Sequence, residues 1–172
     1  MKRFISIFTG IMLVFGLSLN LYAQSAEEEL DQVKLAKQWI GTWETSIGVD
    51  SVIRFVCTPF GAGLYLHMEW KANGTAYYAA HSVLGFDSNG ETIIMTHVWQ
   101  GGNTAQEIGR FVTEKKLMME RFWPDQLNHA VALSELDFSQ PNVIVWTMLV
   151  RDSQITWKPV DTHKWTWSKV ND

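Results

Sequence analysis

Residues 64–86, LYLHMEWKANGTAYYAAHSVLGF, contain the strongest indication of the fold class. Over residues 64–71 apolar and polar side chains alternate, which is the two-residue period of a half-buried strand. Asn73-Gly74 follows, a dipeptide that favours a tight hairpin turn. Residues 75–86 then supply a return strand. The stretch therefore predicts an antiparallel hairpin.

The same pattern of short runs and turn residues continues on both sides of this hairpin. We predict strands over residues 42–49, 51–58, 64–71, 75–86, 91–100, 104–113, 116–123, 128–138, 142–150 and 162–170, and a less regular one near 155–159. We take this series as about nine to ten strands. The connections are too short for crossover helices, so neighbouring strands should pair antiparallel as a meander.

A meander of this size would expose unpaired backbone at two edges if it stayed open. Closing the sheet on itself removes those edges, so the predicted architecture is an antiparallel up-and-down β-barrel. Such a barrel is wide enough to hold a small ligand. A two-layer sandwich is the alternative.

One helix should precede the strands. Ser25 and Glu28 have the spacing of a capping box, and the intervening glutamates suit the positive end of a helix. An apolar stripe continues to Ile40, and Gly41 is a stop signal. We therefore predict a helix over residues 26–39.

The N-terminus has the three parts of a secretory signal peptide. Lys2 and Arg3 precede an apolar run over residues 4–19, and Ala23 offers a cleavage site. The run is short for a membrane span of about 20 residues, although an uncleaved anchor is the alternative. We predict a signal peptide over residues 1–23 and one domain over 24–172. The mature protein would be periplasmic or secreted, without a stable membrane anchor.

The charge balance excludes some classes of partner. The chain has 14 basic and 18 acidic residues, a formal net charge of −4. Nucleic-acid binding needs a basic face, and docking on an anionic membrane needs basic clusters. The acidic balance therefore argues against both kinds of partner.

Cys57 is the only cysteine, so no internal disulfide can form. Its apolar neighbours predict a buried, inert thiol.

The segment WIGTWE at residues 39–44 carries a family resemblance. A short helix leading into Gly41-x-Trp43 resembles the start of the lipocalin and calycin barrels. Residues 79–100 are similar to the central hairpin of an uncharacterised bacterial lipocalin-like family, a domain of unknown function. The second lipocalin signature, Thr-Asp-Tyr, is absent from this sequence.

The resemblance implies that the helix closes one end of the barrel. It also implies structural roles for Gly41 and Trp43, with the indole packed across the barrel base. In lipocalins a basic residue covers this tryptophan, and Arg151 or Lys164 would serve here. Haem binding in the nitrobindin-like branch needs a placed histidine, and the sequence identifies none.

Three histidines lie in predicted strands. A three-residue loop after Asp87 would place His81 opposite His97 on one face, whereas a two-residue loop would separate them. Two facing imidazoles could bind a metal or a haem iron. No third ligand stands at a metal-like spacing, so we predict no metal site and leave the cofactor unknown. His67 shares a face with Glu69 and should be solvated.

Acidic side chains give no catalytic pattern. We expect solvated strand faces for four strand glutamates, because charged residues are seldom buried unpaired; they are Glu69, Glu107, Glu120 and Glu135. The sequence does not show which of these carboxylates face each other across the sheet, so it does not support a hydrolase with two catalytic carboxylates. There is also no Gly-x-Ser-x-Gly elbow. We therefore predict no catalytic residue.

Arg110 and Arg121 are the strand arginines of interest. Arg121 alternates with Leu117 and Met119, so either it points into the barrel with them or it lies at a bulge or an edge. An inward arginine could hold the carboxylate of a ligand.

These features favour a binding protein for a small hydrophobic or amphipathic ligand. Its predicted contacts are Trp70, Tyr78, His97 and Arg121, with apolar walls for affinity. One alternative is a barrel enzyme of the isomerase or cyclase type, which needs His81, His97 or Glu120 inside. Another is an envelope protein-interaction module with a filled interior and an exposed apolar patch. The ligand's identity and the oligomeric state stay open.

Overall fold

The computed structural model describes residues 30–125, 130–151 and 157–170, with the backbone alone at residues 151 and 157–163. Within these ranges a short helical segment is followed by ten strands: β1 (Gly41–Gly48), β2 (Ser51–Phe60), β3 (Gly63–Ala72), β4 (Thr75–Phe86), β5 (Ile93–Trp99), β6 (Thr104–Thr113), β7 (Lys116–Phe122), β8 (Ala132–Asp137), β9 (Val143–Arg151) and β10 (Trp157–Val170).

The strands form a closed barrel. Each strand pairs antiparallel with its neighbour in sequence, and β10 returns to pair with β1. The predicted up-and-down barrel is confirmed, and the sandwich alternative is wrong. Two segments predicted separately, near residues 155–159 and 162–170, belong to the single strand β10, whose register on β9 shifts between Pro159 and Lys164.

The hairpin predicted from the sequence is present. Ala72 pairs with Thr75, so Asn73 and Gly74 form a two-residue turn. Both have positive φ, 51° and 77° respectively. This backbone matches the right-handed twist of the flanking strands and suits Asn-Gly.

The helix is shorter than predicted. Helix α1 (Gln32–Ala36) is followed by one 3₁₀ turn (Lys37–Trp39). Asp31 is its N-cap, with a side chain that accepts from the Lys34 N–H at 2.9 Å. The predicted start at residue 26 is therefore wrong for Leu30 and Asp31, which are not helical. The predicted capping box lies outside the described residues.

The helix attaches to one end of the barrel through the buried side chain of Gln32. Its amide oxygen accepts from Phe111 N–H at 2.6 Å, and its amide nitrogen donates to Phe111 O at 3.2 Å. Phe111 lies near the end of β6. The helix therefore lies against the end of the barrel that holds the β6–β7 turn, opposite the Asn73-Gly74 hairpin.

Trp43 lies at the base of the barrel. Its indole donates to Trp39 O at 2.8 Å and stacks on Phe55 with ring centres 6.1 Å apart. The Lys169 ammonium lies 5.3 Å from the centre of the Trp43 ring. The basic residue over this tryptophan is thus Lys169, where we expected Arg151 or Lys164. Lys164 is exposed to solvent and pairs with Thr147 on β9, five residues before Lys169 on β10.

The core consists of inward-facing side chains from most strands. Fully or nearly fully buried examples are Ile53, Phe55, Leu66, Leu84, Ile93, Met95, Phe111, Leu117, Met119, Leu136, Ile144 and Trp167. Cys57 is also buried, and burial raises the pKa of its thiol to about 12. The predicted burial of the thiol is confirmed. So high a pKa leaves almost no thiolate, the reactive form, at neutral pH.

Among the residues with described positions, none belongs to a helix both long and apolar enough to cross a membrane.

Candidate functional site in the barrel interior

Five inward-facing polar residues lie on five consecutive strands, β4 to β8. We call this set the interior polar cluster: Ser82, His97, Glu107, Arg121 and Ser134. Ser82 is directly opposite His97 in the β4–β5 register, and Glu107 is opposite Arg121 in the β6–β7 register. Residues opposite each other across a ladder share a face, so their side chains meet inside the barrel.

Glu107 is at the centre of the cluster. Arg121 donates to its Oε1 from Nη2 at 2.6 Å and from Nε at 2.8 Å, and Ser134 Oγ donates to the same oxygen at 3.3 Å. Burial by itself raises the pKa of Glu107. Attraction to the Arg121 guanidinium and to the nearby His97 outweighs burial and lowers the pKa to about 2. Glu107 is therefore ionised at neutral pH, although its side chain is only 1% exposed.

His97 connects the carboxylate to Ser82. Its Nδ1 lies 2.8 Å from Ser82 Oγ, and its Nε2 lies 3.4 Å from Glu107 Oε2. Within the described part of the chain, neither that Nε2 nor that Oε2 has a hydrogen-bond partner. Trp99 stacks on the imidazole with ring centres 5.5 Å apart. The imidazole is thus held on one side by a hydroxyl and on one face by an indole.

A small cavity lies beside His97 and Ser82. Its volume is about 20 Å³, room for about one water molecule. Apart from the two cluster residues its lining is apolar or aromatic: Trp39, Phe55, Leu66, Met68, Met95, Leu136, Ile144, Trp146 and Trp167. As it stands, this cavity is much smaller than the ligand chamber we expected.

Three tryptophans that line this cavity carry unpaired indole N–H groups. The Nε1 atoms of Trp39, Trp146 and Trp167 are buried, and in the described structure none has a hydrogen-bond partner. An unpaired buried donor costs about 1–3 kcal/mol. Three of the residues that line the cavity therefore carry buried donors that lack acceptors in the described structure.

The predicted ligand-binding residues lie in two groups. His97 and Arg121 meet Glu107 in the interior polar cluster. Trp70 and Tyr78 pair edge to face with ring centres 5.2 Å apart, next to the β3–β4 hairpin. That hairpin lies at the barrel end opposite the helix, so the second group is at the open end.

The inward orientation of Arg121 agrees with its alternation along β7, and its side chain is 13% exposed. In contrast, Arg110 is exposed on the outer face of β6.

The predicted environment of Glu107 was wrong, since it is completely buried rather than solvated. Its neighbours on the same strand face, Ala105 and Phe111, are buried too, and this two-residue period was the available signal. The other three strand glutamates are partly or fully exposed, and Glu69 and Glu135 pair with nearby lysines.

The two candidate histidines are separated by one residue of register. His97 pairs with Ser82, and His81 pairs with Val98, so the imidazoles lie on opposite faces of the sheet. Strand β5 begins at Ile93, which pairs with Phe86, so the connection is longer than either loop we considered. His81 lies outside the barrel beside His67.

Within the described residues, no three His, Cys, Asp or Glu side chains are grouped so that they could hold a metal ion. No protein-family model matches this chain, and neither does any curated protein sequence. The closed ten-stranded antiparallel barrel with its short helix is consistent with a lipocalin-like or calycin-like fold.

Proposed function

We propose that this chain is an exported binding protein that holds a small hydrophobic or amphipathic molecule inside the barrel. The observation that carries the proposal is the set of three unpaired indole N–H donors around one apolar cavity. A guest with a carbonyl, hydroxyl or carboxylate oxygen would pair donors that the protein leaves unpaired. Its apolar part would contact the aliphatic and aromatic walls.

The interior polar cluster supports the same proposal. Burying an ion pair costs several kcal/mol per ion, and apolar side chains of similar volume often stabilise a fold as well or better. A buried pair beside a cavity therefore favours a role in binding. Since Arg121 is engaged by Glu107, His97 is the group available to the polar end of a guest, and Arg121 positions the carboxylate behind it.

The cavity volume sets a condition on binding. A space of about 20 Å³ admits about one water molecule, so a larger guest requires side chains to move. Met68 and Met95 line the cavity, and methionine changes shape at low cost because it is unbranched. Trp70 and Tyr78 at the open end would contact the guest on entry or hold its outer part.

The test is a binding titration of the purified protein followed by tryptophan fluorescence. The probes are fatty acids and fatty alcohols of 8 to 18 carbons, retinol and haem. We expect saturable quenching by at least one of them. Absence of saturable binding across the panel overturns the proposal.

Substituting the donors makes the test specific. Trp146→Phe and Trp167→Phe remove an indole N–H and keep an aromatic ring. Loss of one hydrogen bond worth about 1–1.5 kcal/mol should weaken binding roughly 5- to 12-fold. Trp123→Phe is the matched control, since Trp123 is 36% exposed and does not line the cavity. Equal affinity in all three variants would mean that the guest does not use these donors.

A hydrolytic enzyme is the second candidate. Ser82, His97 and Glu107 form a hydroxyl–imidazole–carboxylate chain of the kind that activates a serine nucleophile. His81 and Glu120, two of our alternative acid–base candidates, lie on the outer face. Hydrolysis of p-nitrophenyl esters that Ser82→Ala abolishes would favour this candidate over simple binding.

A further inference from the structure

A cluster on the outside of the barrel is unrelated to the interior site. His67 on β3 lies directly opposite His81 on β4, and their Nδ1 atoms are 3.3 Å apart. Tyr65 Oη lies 2.5 Å from His81 Nδ1. The side chains of His67 and Glu69 are 34% and 30% exposed, so solvent reaches the cluster.

Hydrogen bonding determines which ring nitrogens carry protons. Glu69 Oε1 lies 3.3 Å from His67 Nε2, and an ionised carboxylate can only accept. In the neutral imidazole this contact places the His67 proton on Nε2 and leaves a lone pair on Nδ1. When the Tyr65 hydroxyl donates to His81 Nδ1, that nitrogen presents a lone pair as well.

With these tautomers the two Nδ1 lone pairs face each other. Neither nitrogen can donate to the other in these tautomers, although they are at hydrogen-bond distance. A cation between them removes the conflict. In a tetrahedral site with metal–nitrogen bonds of about 2.0–2.1 Å, two donors are separated by roughly 3.3 Å.

We propose that the His67–His81 pair binds a divalent transition metal of the Zn²⁺, Ni²⁺ and Cu²⁺ class through its two Nδ1 atoms. Imidazole nitrogen suits these metals. Water completes the coordination, and the metal replaces the Tyr65 hydroxyl as the partner of His81 Nδ1. Glu69 orients His67 from the far side of the ring, and Lys71 holds Glu69 at 2.9 Å. A carboxylate behind a ligating histidine is the usual arrangement around protein-bound metals.

The affinity order should follow the Irving–Williams series, with Cu²⁺ bound most tightly. Two histidines rather than three supply the protein nitrogens, so we expect moderate affinity. The site is on the outer surface, so substitutions there should leave the barrel folded.

The experiment is calorimetric titration of the purified protein with Zn²⁺ and electron paramagnetic resonance with Cu²⁺. We expect one ion per chain at this site and a Cu²⁺ spectrum with coupling to two nitrogens. His67→Gln and His81→Gln should each weaken binding at least tenfold, and Glu69→Gln should weaken it about tenfold. Glu120→Gln is the matched control for Glu69→Gln, because Glu120 is an exposed carboxylate on β7, away from the histidine pair.

Circular dichroism of each variant verifies the fold. Zn²⁺ affinity that is unchanged in His67→Gln and His81→Gln would place the ion elsewhere and overturn the proposal. Absence of binding at millimolar Zn²⁺ and Cu²⁺ would also overturn it, because the pair would then hold a shared proton instead of a metal.

Discussion

Glu107 and Arg121 face each other across β6 and β7 inside the barrel, with Oε1 and Nη2 2.6 Å apart. The side chains are 1% and 13% exposed, so this ion pair is almost completely removed from water. Because each charge depends on the other for compensation, the pair gives sharp predictions for stability.

Loss of the Glu107 charge should destabilise the fold strongly. Glu107→Gln leaves the Arg121 guanidinium buried without a counter-ion, so we expect a loss of about 3–5 kcal/mol in the free energy of unfolding. Urea denaturation measures this loss. Glu120→Gln, an exposed position on β7, is the control and should change stability by less than about 0.5 kcal/mol.

Removal of both charges should be milder than removal of one. In Glu107→Leu/Arg121→Leu no buried charge lacks a partner, and the double variant should recover most of the stability lost in Glu107→Gln. A double variant no more stable than the single one would show that the pair itself supports the fold.

Acid should weaken the fold through Glu107. Its pKa is about 2 in the folded protein against an ordinary value of 4.5. A lowered folded-state pKa gives stability that is complete above about pH 4.5 and disappears as the pH falls through 2. The corresponding loss in the free energy of unfolding is roughly 3 kcal/mol. Thermal unfolding between pH 6 and 2 should show this decline, and Glu107→Gln should show a flatter profile. A parallel decline in both proteins would assign the acid sensitivity to other groups.

Gly41 should not tolerate a side chain. It has a φ of 133°, and a Cβ there would lie 2.5 Å from Lys169 Cε, the side chain that covers Trp43. Gly41→Ala should lower stability by at least about 1 kcal/mol through backbone strain and displacement of Lys169. Gly85→Ala is the matched control, because a Cβ there meets no atom within 4 Å. Equal midpoints in urea would contradict this account.

Export should remove the first 23 residues. The basic start, the apolar run and Ala23 predict a mature N-terminus at Gln24. Cell fractionation and N-terminal sequencing of the full-length product test this. Ala23→Arg should block cleavage, whereas Gln24→Ser should leave it unchanged. A full-length chain in the cytoplasm would contradict the prediction.

Much of the fold follows from local patterns. Alternation over residues 64–71 predicts a strand, and Asn73-Gly74 predicts the turn, because both depend on backbone geometry within a few residues. The resemblance of Gly41-x-Trp43 to the start of lipocalin barrels, rather than a local pattern, implied that Trp43 lies at the base of the barrel. The non-helical residues Leu30 and Asp31 were not predicted, because the local spacing gave no sign that Asp31 caps the helix that begins at Gln32.

The geometry of the site depends on the register between paired strands, which relates residues far apart in the sequence. The sequence shows that side chains alternate along β4, β5 and β6 without showing which set faces inward, and a shift of one residue reverses the faces. That shift pairs His97 with Ser82 rather than His81. The β6–β7 register likewise brings Glu107 to Arg121, and closure of the barrel through β1 and β10 brings Lys169 to Trp43. Local patterns therefore sufficed for the strands and their turns, whereas the interior charges and the outer histidine pair depended on the register between neighbouring strands, because a shift of one residue would have separated them.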